Sequence, residues 1–195
     1  ENMAAVRALA DEFGLPVHLD GARAFNAAAA LNVKVSEIAQ YADSANLCLS
    51  KGLCAPVGSV LAGSKAFIER AKKYRKLLGG GMRQCGVLAA AGIIALTEMT
   101  KRLYEDNENA HALAVGLAGI RGISLDPRFV QTNIVIFDVQ KTGMTAAQFI
   151  EKLKGYGVLA SSTGPYAVRF VTHRHIATGD IPQILHAVHK MVTGA

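Results

Sequence analysis

Lys51 is the residue around which chemistry in this chain can be organised. It stands just past an apolar run, Ala45 to Leu49, and Gly52, Pro56 and Gly58 follow it. The run fits a buried strand. The glycines and the proline make the next segment a bent loop, and Val57 to Ala62 returns as a second apolar strand. A lysine held at a strand end among apolar neighbours is expected to be poorly solvated. Desolvation disfavours its charged form, and a free amine is what a Schiff-base nucleophile needs. A surface lysine at a turn is the commoner fate, and this stretch alone does not choose between the two.

Other strand ends carry matching groups. Asp20 and Arg23 follow the short strand Val17-His18-Leu19, Ser50 precedes Lys51, and Arg169 lies in the apolar run Ala167 to Thr172. In open α/β sheets, ligands bind beyond the carboxyl ends of the strands. A carboxylate and an amine delivered to that edge suit pyridoxal phosphate chemistry. The lysine forms the imine, and the carboxylate keeps the pyridine nitrogen protonated so that the ring acts as an electron sink. Arg23 can return to the same edge and steady the ring oxygen. Arg169 can clamp a substrate carboxylate in a planar bidentate pair. Each residue also has a plainer use: Asp20 as a helix cap, Arg23 as a surface charge.

Positioning these groups requires strands alternating with helices. Residues 3–12 read as a helix ended by Gly14, residues 25–31 as an alanine-rich helix, and residues 35–41 as a short one. Ser64 is placed to cap a helix over 65–78, which Gly79-Gly80-Gly81 breaks. A long helix over 84–104 is apolar on nearly every side through Ala95, which predicts burial in the core or at a subunit contact. A further helix runs to about residue 117. After Asp126-Pro127 the pattern changes. Strands are expected at 132–139, 157–160 and 167–172, with helices over 146–154, capped by Thr145, and over 180–192. The strands beside Asp20 and Lys51 read as central strands of a parallel sheet. The expected fold class is α/β, with a partly parallel larger domain over 1–122 and a small α+β domain over 123–195.

The 195 residues are 51% hydrophobic and 18% charged, a balance that builds a packed core and argues against disorder. The net charge of +6 is scattered apart from Arg70 to Lys76. That run stands alone and the chain has no Trp, so a nucleic-acid partner is not expected. No apolar run is long enough to span a bilayer, and no membrane partner is expected. Three cysteines at no zinc spacing predict reduced thiols and a cytoplasmic or organelle-matrix setting. His173 and His175 lack an evident third ligand, so no metal is expected.

Taken together, His18-Leu19-Asp20-Gly21-Ala22-Arg23, Ser50-Lys51-Gly52-Leu53, Gly79-Gly80-Gly81-Met82-Arg83-Gln84 and Arg169-Phe170-Val171-Thr172-His173 resemble the motifs of the L-threonine aldolases. These are fold-type-I pyridoxal-phosphate enzymes of the aspartate aminotransferase superfamily, and the motifs run in family order along essentially the whole chain. The resemblance implies cleavage of L-threonine, L-allo-threonine or related β-hydroxy-α-amino acids to glycine and an aldehyde. It implies that Lys51 is the Schiff-base lysine, with Asp20 on the pyridinium, Arg23 near the phenolic oxygen, and Ser50 and Arg83 in the cofactor set. Arg169 and Lys76 fall to the substrate. It also implies a homo-oligomer, dimer or tetramer, with sites at subunit contacts.

Two residues depart from the family pattern: Cys54, where glycine is expected, and Cys85, where a small residue is expected. Family members are also longer on the N-terminal side, in the part that carries the glycine-containing phosphate loop and a histidine that stacks on the ring. The chain is therefore expected to hold about half of a site. A related β-eliminating lyase, or a non-catalytic fragment acting only through a partner chain, are the alternative readings.

Overall fold

A computed structural model describes residues 1–194 of the chain. The chain divides into two compact units, Glu1–Leu103 and Tyr104–Ala195.

The first unit opens with helix α1, Asn2–Glu12. Gly14, at φ +62°, ends it, and Leu15 N–H donates to the Ala10 carbonyl at 2.8 Å, the glycine stop that closes many helices. Strand β1, His18–Gly21, pairs in parallel with β2, Ser44–Cys48, with Asp20 opposite Asn46. Between them lie α2, Ala24–Leu31, and α3, Val35–Ala39. Strand β3, Ser59–Gly63, joins the other edge of β2 in antiparallel register. The sheet order is β1-β2-β3. The sheet is thus partly parallel, but β1 is at its edge among the described residues and not in its centre. Asp43 fixes the entry to both parallel strands. Its Oδ2 accepts from Val17 N–H and from Arg7 Nη1, each at 2.7 Å. The Val17 N–H, then Arg7, hold the Asp43 carboxyl below its ordinary range.

Helix α4, Lys65–Leu77, starts as expected at Ser64, whose hydroxyl accepts from Phe67 N–H at 3.2 Å. Gly79, at φ +82°, ends it, with Gly80 N–H donating to the Arg75 carbonyl at 2.8 Å. The apolar stretch beyond is not one long helix. It forms α5, Gly86–Thr97, a 3-10 turn at Met99–Arg102, and α6, Leu103–Ala118. The expected burial of α5 within the chain is not found either: only Gly92 and Ala95 are buried, while Val87, Ile93, Ile94 and Leu96 are exposed. This unit's buried cluster is small, built from Leu49, Leu53, Ala55, Ala95 and Leu103.

The second unit is a three-stranded antiparallel sheet, order β4-β6-β5, with helices. Its strands are β4, Ile134–Asp138, β5, Ser161–Ser162, and β6, Ala167–Val171. Helix α7, Ala146–Lys154, carries a capping box in which Thr145 and Gln148 satisfy each other's backbone N–H groups. Helix α8, Asp180–Thr193, closes the chain. The core joins Leu113, Ala114 and Leu117 of α6 to Val135 and Phe137 of β4, Phe149 of α7, Phe170 of β6 and Val188 of α8. Phe137 meets Phe149 and Phe170 edge to face, with centroids 5.8 and 5.0 Å apart. The division falls at Leu103, earlier than 122, because most of α6 packs into this core. The strand expected at 157–160 is displaced to 161–162: Gly157 turns at φ +77°, and Val158 and Ala160 pack on the core unpaired.

Candidate active site

Asp20 and Lys51 reach one edge of the first sheet because β1 and β2 run parallel. Asp20 is near the carboxyl end of β1, and Lys51 follows the carboxyl end of β2. Asp20 Oδ1 accepts from Ala22 N–H at 3.1 Å, a local turn that orients the carboxylate and leaves its second oxygen for other use. It does not cap α2, whose N-cap is Arg23.

The loop after β2 is built to present Lys51 outward. Leu49, Leu53 and Ala55 are buried, while Ser50 and Lys51 between them are exposed. The Lys51 carbonyl accepts from Cys54 N–H at 2.9 Å, the Leu49 carbonyl accepts from Ala55 N–H at 2.9 Å, and Leu49 N–H donates to the Gly58 carbonyl at 3.0 Å. These bonds fix the backbone on which the lysine stands. The expected desolvation of Lys51 is not provided by the described residues, because its apolar neighbours turn inward and it turns out.

Two glycines are required beside the candidate groups. A Cβ on Gly21 would lie 2.6 Å from Leu47 Cδ2 and 2.8 Å from the Asn46 carbonyl. A Cβ on Gly52 would lie 2.8 Å from Asn26 Oδ1 and 3.1 Å from Leu103 Cδ2. The strand pairing next to Asp20 and the loop next to Lys51 therefore both depend on a missing side chain. Cys54 shows the opposite case. It holds φ +58°, a left-handed conformation natural to glycine and costly for other residues.

Sequence reasoning missed Cys48 as part of this constellation. Its thiol lies 3.4 Å from the Ser50 hydroxyl. Burial pushes the Cys48 thiol up, but the Ser50 hydroxyl and N–H, with the charges of Lys51 and Arg23, bring it net below its ordinary value. The charges of Lys51 and Arg23 thus both reach the Cys48 thiol, from the segments that follow β2 and β1. β2 ends at Cys48, so strand alternation gave no signal for this pair.

The other expected residues stand on separate elements. Lys76 is in the last turn of α4 and Arg83 is in the loop beyond Gly81, both exposed. Cys85 is the exposed N-cap of α5. Arg169 belongs to the second unit. On β6, Val168 and Phe170 face the core and Arg169 faces away from it, opposite Ile136 of β4 and Ser161 of β5. A cavity of about 440 Å³ in that unit, lined by Tyr156, Phe170, His173 and Ile184 among others, contains none of the expected residues. Among the described residues, no helix is long and apolar enough to cross a membrane.

A lysine and an aspartate thus stand at the carboxyl ends of neighbouring parallel strands, the edge at which ligands bind in open α/β sheets. The chain belongs to the β-eliminating lyase family, whose model matches residues 1–142. It is 44% identical over 184 residues to a probable low-specificity L-threonine aldolase of Arabidopsis thaliana, covering 94% of this chain and 52% of that protein. It is 42% identical over 173 residues to a low specificity L-threonine aldolase of Escherichia coli K12, covering 89% of this chain and 50% of that protein. A Listeria monocytogenes crystal structure provisionally assigned as an L-allo-threonine aldolase superposes with a TM-score of 0.80 at 19% identity, over 97% of this chain and 55% of that one. That likeness shows the fold, the fold-type-I architecture expected from the motifs. The chain spans about half the length of the curated relatives it matches.

Proposed function

We propose that the chain carries the lysine and aspartate half of a pyridoxal-phosphate-dependent aldolase. Its substrates are L-threonine, L-allo-threonine and related β-hydroxy-α-amino acids, and its products are glycine and an aldehyde. The observation that carries this reading is the convergence of Asp20, Arg23, Ser50 and Lys51 at one sheet edge, in a chain 42–44% identical to low-specificity L-threonine aldolases. The donor set fits the cofactor: a primary amine for its carbonyl carbon, a carboxylate for its ring nitrogen, and a guanidinium and a hydroxyl for its oxygens.

Bound pyridoxal phosphate supplies an electron sink for the pair released when the Cα–Cβ bond breaks. Lys51 supplies the amine that holds it. Asp20, oriented by the Ala22 N–H, keeps a proton on the pyridine nitrogen through charge and hydrogen bonding. Arg23 places positive charge beside the phenolic oxygen. Ser50 contributes a hydroxyl, and Arg83 a charge, toward the cofactor. Arg169 binds the substrate carboxylate, with Lys76 as a second cation. The residue that takes the β-hydroxyl proton is not assigned to this chain.

The exposed α5 residues Val87, Ile93, Ile94 and Leu96 support a homo-oligomer, because an apolar helix face this large seeks cover. Light scattering of the holoenzyme tests that. The family match favours β-elimination as the second reading. Product analysis separates the two: glycine and acetaldehyde from L-threonine support the aldolase, and a keto acid supports the lyase.

A further inference from the structure

We propose that Ser161 is a positioning residue for Arg169, selecting which edge of the guanidinium meets the substrate carboxylate. The proposal rests on the reading of Arg169 as the carboxylate clamp. Arg169 and Ser161 face each other directly across the β5–β6 pairing. Arg169 Nε donates to the Ser161 hydroxyl oxygen at 3.2 Å, in a half-buried setting.

A guanidinium offers five N–H groups in a fixed plane. A carboxylate can dock on either of two edges, Nε with one terminal nitrogen or the two terminal nitrogens together. With Nε given to Ser161, the end-on edge, Nη1 with Nη2, remains as a matched fork. The Ser161 bond also restrains rotation of a long, flexible side chain. Restraint before binding lowers the entropy lost on binding. The platform itself is firm. At the end of β6, Thr172 Oγ1 donates to the Asp106 carbonyl at 2.6 Å, and Asn133 Nδ2 donates to the Thr172 carbonyl at 2.8 Å, both buried. The strand backbone is pinned, so Ser161 governs the side chain alone. Ile136, on the other flank and 51% exposed, offers the guanidinium no competing acceptor.

The test uses the holoenzyme. Ser161→Ala should raise KM for L-threonine about three- to tenfold, the net worth of one ordinary hydrogen bond, since the lost bond restrains the arginine and does not itself touch the substrate, with kcat within about twofold. Equilibrium binding of glycine, followed by calorimetry, should weaken by the same factor. Ser161→Thr should restore both and Ser161→Val should not, a pair that keeps strand propensity constant. In an Arg169→Lys background, which has no Nε, Ser161→Ala should add nothing further. A Ser161→Ala variant with unchanged KM and glycine affinity, while Arg169→Lys raises KM, would overturn the positioning role alone. Unchanged KM and glycine affinity in Arg169→Lys itself would overturn the clamp reading, and this proposal with it.

Discussion

In the second unit, Val135, Phe149, Leu153 and Val168 are completely buried, and helices and strands contribute to one core. In the first unit, every residue of β3 is exposed, α4 buries none of its residues, and α5 keeps most of its apolar surface in water. The unit that carries Asp20 and Lys51 is the less self-contained of the two. A self-contained layer holds Arg169 on a firm strand. The first unit instead achieves local order, through the hydrogen-bonded loop around Lys51 and the close packing at Gly21 and Gly52, without a deep core behind it. Backbone geometry, more than burial, positions Asp20 and Lys51 there.

The comparison can be broken by mutation. The largest effect is expected on rate. Asp20→Asn removes the charge proposed to hold a ring proton and should lower kcat about 10²–10³-fold, as losing one preorganised electrostatic partner does, while the circular dichroism spectrum stays unchanged. Near-normal turnover would leave Asp20 as a turn residue only.

On stability, Phe137→Ala should cost about 3–5 kcal/mol by denaturant unfolding, since it empties a packed core. Ile94→Ala, on the bare face of α5, should change the stability of the isolated chain by less than about 0.5 kcal/mol. Equal losses at the two positions would mean that the first unit is better buried than its exposure shows.

Cys54→Gly should stabilise the loop by about 1 kcal/mol, because glycine adopts the left-handed conformation without a Cβ penalty. Thermal melting of the variant measures this, and a lower melting temperature would contradict it. The smallest effect concerns Asp43. Its pKa is depressed in the folded state, so its contribution to stability is present above the unfolded carboxylate pKa and is lost as pH falls through the folded one. Asp43→Asn should flatten the acid limb of the stability profile slightly, as expected for an exposed ion pair with one backbone hydrogen bond.

Local signals were legible in the sequence. Ser64 and Thr145 cap the helices they were expected to cap, Gly14 and Gly79 stop the helices they were expected to stop, and Lys51 follows a strand. Pairing was less legible. Ser161 meets Arg169 only through the β5–β6 register, and the apolar Val158 and Ala160 suggested a strand several residues too early because they serve the core without pairing. Apolar α5 shows a third limit. Its composition says that it seeks burial, but not which surface supplies it. The thiol of Cys48 was overlooked because its interest comes from charges on two different segments, Arg23 and Lys51, which only the folded sheet edge brings near.

The central claim is that Lys51 supplies the amine that holds the cofactor. Borohydride reduction of the holoenzyme, digestion and peptide mass mapping test it most directly. The account predicts a pyridoxyl mass on the peptide containing Lys51, and its loss in a folded Lys51→Ala variant together with the visible absorbance of the bound cofactor. A pyridoxyl group on any other lysine, or a label that survives Lys51→Ala, would contradict it.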